Sequence, residues 1–200
     1  MKAPVFFIAG LIVTLLASAH TAHAPLANYV PINDGTARCQ FSFPDTYQQR
    51  SETEATMYSA TADDITYEMH YRNTTTVQSL PGRNFQNESN SASQADKLQQ
   101  FANTLAQASG GQIINQFAVT TSGQQGREVE INYVEEGDDC KMYARFFWHN
   151  NTIYAFTVSA VTRYADNSAA GNPNNATTNN VTPTAIANAK NVVFGSINFY

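Results

Sequence analysis

Three consecutive segments in the second half of the chain constrain its fold more than any others. Residues 127–134, 140–149 and 152–160 are rich in aromatic and β-branched side chains, a composition that favours β-strands. Only Asn150-Asn151 separates the last two, and this dipeptide readily takes the positive φ angles of a tight hairpin turn. We therefore predict three consecutive strands here, the last two joined as a hairpin.

A tight turn at this place pairs His149 with Thr152 and divides the side chains of the hairpin between two faces. One face then carries Met142, Ala144, Phe146, Trp148, Ile153 and Ala155, and the other carries Tyr143, Phe147, Tyr154, Phe156 and Val158. Both faces are apolar, whereas a sheet with one face in water alternates apolar and polar residues. We therefore expect both faces to be covered, and we predict an α+β fold: a three-layer α/β/α sandwich around a mainly antiparallel sheet of about seven strands.

The start of the chain has the pattern of a secretory signal peptide, over residues 1–24. Lys2 supplies a positive charge, residues 5–16 are apolar, and Ala22-His23-Ala24 is a small-x-small cleavage site. The apolar run is shorter than the roughly 20 residues of a spanning helix. We therefore expect cleavage after Ala24, export to a bacterial periplasm or out of the cell, and no membrane span afterwards.

Beyond the signal, the sequence predicts a lead-in segment and one domain. Residues 25–36 contain Pro, Asn, Asp and Gly without periodicity, and we interpret them as the lead-in. Residues 37–200 are enough for a single domain. Within it, residues 164–181 are rich in Asn and too polar to bury themselves, which predicts a loop.

Two segments have the features of helices. Ser91 or Ser93 can cap a first helix that runs to about Ser109, where two glycines follow. Thr182-Pro183 opens a second helix, with Thr as the cap and Pro at the first helical position.

The charge of the chain weighs against two classes of partner. Removing Lys2 with the signal leaves 10 basic residues against 16 acidic residues, a net charge of −6. The basic residues are spread along the chain and form no cluster. Nucleic acids and anionic membranes are bound through clustered Lys and Arg. We therefore expect neither of them as the main partner.

Two cysteines, Cys39 and Cys140, follow the signal peptide. In an exported protein a pair of cysteines most simply forms a disulfide, and closing a loop of about 100 residues stabilises a fold by up to ~4.7 kcal/mol. A metal site is an alternative, although no CxxC spacing or neighbouring His supports it. A redox pair is another, although such cysteines usually lie close in sequence.

A charged pair is expected across two of the strands. Glu128 and Glu130 alternate on one strand, and either can face Arg145 on the next. We interpret this as a partly exposed structural ion pair, which contributes less than ~1 kcal/mol. A catalytic carboxylate held by an arginine is the alternative.

Only His70 and His149 remain after signal removal, and both fit a surface or turn position. There is no HxH or HExxH spacing, no GxSxG motif and no glycine-rich phosphate loop after a strand. The sequence therefore predicts no metal site and no cofactor, and it assigns no catalytic residue. A small hydrolase or metal-dependent enzyme that uses His70 or His149 stays open as an alternative.

Aromatic residues supply one candidate binding surface. Trp148, His149 and Asn150 lie at the end of the predicted hairpin, with Tyr143 on the same strand. Such residues most often pack in a sheet. Trp and Tyr are also enriched among the residues that anchor partners. We therefore name these four residues as a candidate rim that grips a partner or a sugar.

The order of the predicted elements is similar to that of a known family. QFSFP at residues 40–44, the hairpin strand at 65–71 and NVVFGSI at 191–197 resemble the PsbP-like fold, which is shared by an extrinsic subunit of photosystem II, small bacterial exported proteins and the eukaryotic Mog family. The resemblance covers most of residues 37–199. It implies an α/β/α sandwich and a non-catalytic role in binding or assembly. The Asn-rich segment and the cysteine pair are not part of the family's general pattern.

Taken as a sequence, the chain is predicted to be a non-catalytic exported protein. Its expected partner is an unidentified protein or a component of the cell envelope. The enzyme alternative stays open, and so does a small-ligand carrier with a pocket between the sheet and one helix layer.

Overall fold

A computed structural model describes residues 27–52, 55–73, 93–163 and 181–200. The signal peptide predicted at residues 1–24 lies outside the described residues, and so does the Asn-rich segment apart from Val181. The described residues form ten strands and two helices. The fold is therefore mostly β.

The strands are β1 (Tyr29–Asp34), β2 (Cys39–Pro44), β3 (Gln48–Ser51), β4 (Ala55–Ala62), β5 (Ile65–Asn73), β6 (Gln112–Thr121), β7 (Gln124–Glu135), β8 (Asp138–His149), β9 (Thr152–Arg163) and β10 (Asn198–Phe199). The helices are α1 (Gln94–Ala108) and α2 (Pro183–Ser196). Seven strands form one antiparallel sheet in the order β3-β4-β5-β9-β8-β7-β6, and three form a second sheet in the order β1-β2-β10.

The hairpin between β8 and β9 has the predicted register. Asn150 and Asn151 have φ angles of 48° and 56°, as a two-residue turn of this kind requires. His149 pairs with Thr152, and Trp148 pairs with Ile153. The predicted division of the side chains between two faces is therefore confirmed.

Both faces of the seven-stranded sheet are covered. Helix α1 packs on one face, over β7 and β8, and we call this the α1 face. Helix α2 and the small sheet cover the other, which we call the α2 face. The α1-face core contains Leu98, Ala102, Val129, Ile131, Met142, Ala144 and Phe146. The α2-face core contains Phe41, Phe43, Phe147, Phe156, Val158, Ile186 and Val193.

The predicted α/β/α sandwich is wrong, because the layer opposite α1 is a three-stranded sheet beside a helix. The difference starts in residues 29–34, which were interpreted as part of a lead-in. Pro31 and Asn33 are unfavourable strand residues, so the local signal is weak. Residues Tyr29–Asp34 nevertheless pair with β2 along their whole length, and Ile32 is buried. Tertiary pairing here outweighs local propensity.

Both helices begin with caps of the predicted type. The Ser93 side chain accepts a hydrogen bond from the backbone N–H of Asp96, whose carboxylate accepts one from the backbone N–H of Ser93. Thr182 accepts a hydrogen bond from the backbone N–H of Ala185, and Pro183 is the first residue of α2. The alternative cap, Ser91, lies outside the described residues. Neither described helix is long and apolar enough to cross a bilayer.

The predicted Cys39–Cys140 disulfide is not present, because both thiols are free. Cys39 pairs with Phe199, whose ring lies 5.3 Å from the ring of His149 at the turn end of β8. Cys140 lies nine residues earlier on β8, which is about 30 Å along a strand. A disulfide needs Cα atoms less than about 7 Å apart. The two cysteines therefore lie too far apart to be joined.

Both thiols are also buried, and burial raises their pKa values. Burial raises the pKa of Cys39 to about 12, with a contribution from the Asp34 carboxylate. Burial likewise raises the pKa of Cys140 to about 11, with a contribution from Glu135. The thiolate is the nucleophile and the metal ligand. Neither cysteine therefore has the properties of a redox or metal-binding residue near neutral pH.

Candidate functional site

Strand β6 forms one edge of the seven-stranded sheet, and β7 is its only partner among the described strands. Its ten residues, QIINQFAVTT, include no charged residue and no proline. Natural proteins usually protect an edge by making it short or by placing Lys or Pro on it. β6 is long and carries no Lys or Pro, although it has a β-bulge near its start, and the side chains of Ile114 and Phe117 are 51% and 46% exposed. This edge is the candidate site.

A β-bulge at Ile114 determines which way the side chains of β6 point. Ile113 pairs with Ile131, and Asn115 pairs with the neighbouring residue of β7, so Ile114 has no partner of its own. An extra residue of this kind reverses the alternation of side chains beyond it. Ile113 therefore packs in the α1-face core, while Asn115 points to the α2 face.

Beyond the bulge, the residues of β6 lie opposite different residues of β7 on the two faces of the sheet. Phe117 lies opposite Glu128 on the α2 face. Ala118 lies opposite Arg127 on the α1 face. The edge therefore offers an exposed aromatic ring on one side and a cationic residue on the other.

A cavity of about 190 Å³ lies beside this edge on the α1 face. It is lined by residues of three elements: Ala95 and Leu98 of α1, Ala118 and Thr120 of β6, and Arg127 of β7. Pockets for drug-sized ligands usually have volumes of roughly 300–1,000 Å³. This cavity therefore has the size of one or two amino-acid side chains.

Arg127 is the one charged residue that lines this cavity. Its Nη1 donates a hydrogen bond of 3.3 Å to Oε1 of Gln116 on β6. Its Nε is buried and has no hydrogen-bond partner within the described ranges. The guanidinium therefore extends outward over β6 with part of its hydrogen-bonding capacity unused.

Glu128, directly behind Phe117, forms a buried ion-pair cluster. Its side chain is 2% exposed. One carboxylate oxygen accepts a hydrogen bond of 2.9 Å from Nζ of Lys190, and the other accepts two from the guanidinium of Arg145. Arg145 also donates to the backbone carbonyl of Phe194 at 3.1 Å. The cluster therefore ties β7 and β8 to helix α2.

The sequence predicted part of this cluster. One of the two glutamates was expected to face Arg145, and Glu128 does so; its carboxylate is buried while Arg145 is 16% exposed, so the pair is less exposed than expected. Lys190 was missed because it lies 62 residues away on α2. Both carboxylate oxygens bind cations of the protein itself, so the arrangement is that of a structural carboxylate.

The four residues of the predicted rim lie on different faces. Trp148 lies on the α1 face, where its ring packs 6.3 Å from that of Phe101 and Lys97 Nζ lies 5.0 Å above it. Tyr143 lies on the α2 face, six residues from His149, or about 20 Å along the strand. The structure therefore does not bring these residues together as one surface.

His149 and Asn150 do lie together at the turn. The side-chain amide of Asn150 lies 2.8 Å from Nε2 of His149, and the imidazole packs on Phe199. Burial lowers the pKa of His149, with a smaller contribution from the Arg38 cation. The neutral ring is therefore the form that packs on Phe199, and a role of this pair in binding stays a prediction.

The two histidines do not converge. His70 pairs with Ala155 on the α1 face, with its Nε2 3.8 Å from a carboxylate oxygen of Glu68. His149 lies at the turn and packs toward the α2 face. Within the described ranges, no three His, Cys, Asp or Glu side chains form a group that could hold a metal ion.

The sequence also predicts a strand over residues 113–120, but nothing in it assigns that strand a role. The signal lies in its composition, since the 16 residues 111–126 contain no charged side chain. What the sequence could not supply is the position of that strand at a sheet edge. The strand order depends on the pairing of β5 with β9, which joins residues as far apart as Ile65 and Ala160.

Comparisons with known proteins identify the fold. No protein-family model and no curated protein sequence matches the chain. Among solved structures, the chain is similar to CyanoP, the cyanobacterial PsbP of Synechocystis sp. PCC 6803, with a TM-score of 0.54 and 13% identity over 91% of this chain and 98% of that chain. It is also similar to LpqN, which is involved in cell envelope biogenesis of Mycobacterium tuberculosis, with a TM-score of 0.46 and 13% identity over 87% and 91% of the two chains. The likeness to CyanoP shows that the chain has the PsbP-like fold.

Proposed function

We propose that this protein is a non-catalytic exported protein that binds an extended segment of another polypeptide along the edge of β6. One observation carries the proposal: β6 is a ten-residue, uncharged edge strand with two exposed apolar side chains. The signal-peptide pattern of the sequence supports export. The resemblance to PsbP-like proteins supports a binding role over catalysis.

Strand addition uses the groups that an edge leaves unpaired. The outward N–H and C=O groups of β6 can pair with the backbone of an added strand, which supplies affinity. Side chains of that strand point alternately to the two faces of the sheet and supply specificity. Phe117 adds apolar area on the α2 face. No charge on β6 would lose its water when a strand is added.

Two other functions receive less support. A carrier of a cofactor-sized ligand needs a larger space than the cavity of about 190 Å³ beside α1. The neighbouring layer is filled, since Leu98, Ala102 and Leu105 of α1 are buried against the sheet. An enzyme that uses His70 or His149 receives less support because the two side chains lie apart, His70 beside Glu68 and His149 beside Asn150.

Site-specific photocrosslinking tests the proposal. A photoreactive side chain is placed in turn at Gln116, Ala118 and Thr120, which share the α1 face of β6, in cells that export the full protein. Val192 of α2 is the control site, since its exposure of 44% is close to that of Phe117. We expect crosslinks to one segment of one partner, displaced by two residues at each step. No displacement would be expected at a surface without strand pairing.

Three outcomes would contradict the proposal. One is that crosslinks from β6 scatter over many unrelated proteins. A second is that Val192 captures the same partner segment as β6. A third is that β6 crosslinks only to a second copy of this chain, which would identify the edge as a site of self-association.

A further inference from the structure

We infer that the segment bound by β6 carries an acidic side chain that enters the cavity beside the edge and pairs with Arg127. This inference rests on the proposed function, because it names the chemistry of the segment that β6 binds. It follows from the state of Arg127, from the walls of the cavity and from the alternation of side chains along a strand.

Arg127 has no acidic partner within the described residues, unlike five other cations of the molecule. Arg50, Lys141, Arg145, Arg163 and Lys190 each lie within ion-pair distance of an Asp or Glu. No carboxylate within the described part of the chain pairs with Arg127, which binds only the neutral amide of Gln116. A partly buried cation without an anion is unfavourable, and so is a buried N–H without an acceptor. Arg127 combines both features.

The walls of the cavity strengthen the interaction that a carboxylate would make. Ala95, Leu98 and Ala118 are apolar, and Leu98 is buried, so these walls offer no polar group that competes for the guanidinium. Helix α1 has one acidic residue, Asp96, and its carboxylate already accepts hydrogen bonds from Ser93. The planar guanidinium binds a carboxylate through two parallel hydrogen bonds. A carboxylate is therefore the anion that fits this site.

Arg127 also extends toward the side of β6 on which an added strand would lie. Its Cα is on β7, one strand inside the edge, and its Nη1 already contacts Gln116 on β6. An added strand would lie about 4.8 Å beyond β6. An Asp or Glu side chain on the α1 face of that strand spans the remaining distance.

The two faces of β6 together define a short pattern in the partner. Successive residues of a strand point to opposite faces. An acidic residue directed to Arg127 on the α1 face therefore has neighbours directed to the α2 face, where Phe117 is exposed. The expected pattern is an acidic residue between two apolar residues. Arg127 lies opposite Ala118, inside β6, so a side chain fits better than the terminal carboxylate of a partner chain.

A peptide library tests this chemistry directly. Random nine-residue peptides, linked at both ends so that no free carboxyl terminus is present, are selected on the purified full protein and on its Arg127→Gln variant. We expect peptides selected on the wild type to be enriched in Asp or Glu between apolar residues. On Arg127→Gln the acidic residue should fall to its frequency in the unselected library, and on Arg127→Lys it should be enriched more weakly.

One selected peptide then gives a quantitative test. Replacing its acidic residue by the corresponding amide should weaken binding to the wild type about tenfold, the usual effect of losing a hydrogen-bonded charge. The same change should have little effect on Arg127→Gln, because the interaction is already absent. Thermal unfolding of each variant shows whether it is folded.

The outcomes separate the inference from the function on which it rests. Selected peptides without an acidic preference, or with one that survives in Arg127→Gln, would overturn the inference and leave strand addition at β6 in place. A preference for a free carboxyl terminus in a second library would also overturn it. Failure to select any peptide, together with the absence of crosslinks from β6, would overturn both.

Discussion

The two edges of the seven-stranded sheet are built in opposite ways. β3 has four residues, all exposed, and one of them, Arg50, forms an ion pair of 3.0 Å with Glu52 just after the strand. β6 has ten residues and no charge, and it exposes Ile114 and Phe117. Short length and charge are the usual protections of an edge. Within the described residues β3 has both of these protections and β6 has neither, a difference that supports the role proposed for β6.

The strands behind the two edges differ as well. Behind β6, Glu128 of β7 is buried and bound by Arg145 and Lys190. Behind β3, Thr56 of β4 makes a hydrogen bond of 3.3 Å to Ser51. A binding edge gains from a rigid support, since less conformational entropy is lost when a partner is bound. The edge that exposes apolar side chains, β6, is therefore also the edge that is backed by a buried ion-pair cluster.

The largest expected effect comes from the support of β6. Glu128→Gln leaves Arg145 and Lys190 without their shared anion. We expect it to lower the free energy of unfolding by about 3 kcal/mol, the lower end for a broken buried pair because both cations are partly exposed. Glu130→Gln is the matched control, and it should cost less than ~1 kcal/mol, since Glu130 is more exposed. Urea denaturation measures both free energies of unfolding. Equal losses of stability would show that Glu128 supports the sheet behind β6 no more than Glu130 does.

The next effect concerns binding. Phe117→Lys places on β6 the charge that protects other edges, and it should weaken binding of a selected peptide at least about tenfold. Gln49→Lys makes the same change on β3 and should leave binding unchanged. Titration of a labelled peptide with each folded variant measures the two affinities. A similar loss for both substitutions would remove the functional distinction between the edges.

A third effect concerns self-association. Deleting Ile114 removes the bulge, while Ile113 and Asn115 keep their partners on consecutive residues of β7. The edge becomes regular, and a bulge is one of the features that discourage edge-to-edge pairing. We expect the deletion variant to form dimers or larger species at concentrations where the wild type is a monomer, as measured by light scattering. A monomeric variant would mean that the bulge serves only to orient side chains.

The smallest effect is expected at the protected edge. Replacing both Arg50 and Glu52 by Ser removes an ion pair whose side chains are 70% and 62% exposed. The free energy of unfolding should change by less than about 0.5 kcal/mol, because exposed pairs contribute little. Peptide binding should not appear at β3, since four residues offer few backbone groups. A gain of binding there would show that charge alone distinguishes the edges.

Local patterns predicted the parts of the fold that depend on neighbouring residues. Asn150-Asn151 and the aromatic residues around it were sufficient to predict the β8–β9 hairpin and the faces of its side chains. The β1 strand was missed because Pro31 and Asn33 conceal a strand that only β2 makes stable. The disulfide was predicted because the protein is expected to be exported and has two cysteines after the signal peptide. Neither fact says where Cys39 and Cys140 lie in the fold.

The candidate site was harder to predict than the core. Burial of apolar residues follows from their periodicity, whereas an edge is defined by what fails to pair with it. The absence of charge in β6 was visible in the sequence. Its meaning depends on β7 pairing with β8 and on β8 pairing with β9, which leaves β6 outermost.

If β6 binds a partner strand as proposed, the bulge at Ile114 also limits how many residues of that strand can pair with it. Only Asn115–Thr121 continue in regular register with β7 beyond it, and seven residues span about 23 Å. A longer partner would extend past the bulge without forming further regular pairs. The affinity of peptides should therefore rise with length up to about seven residues and then level off, so that recognition is confined to a short motif and is independent of the fold of the protein that carries it.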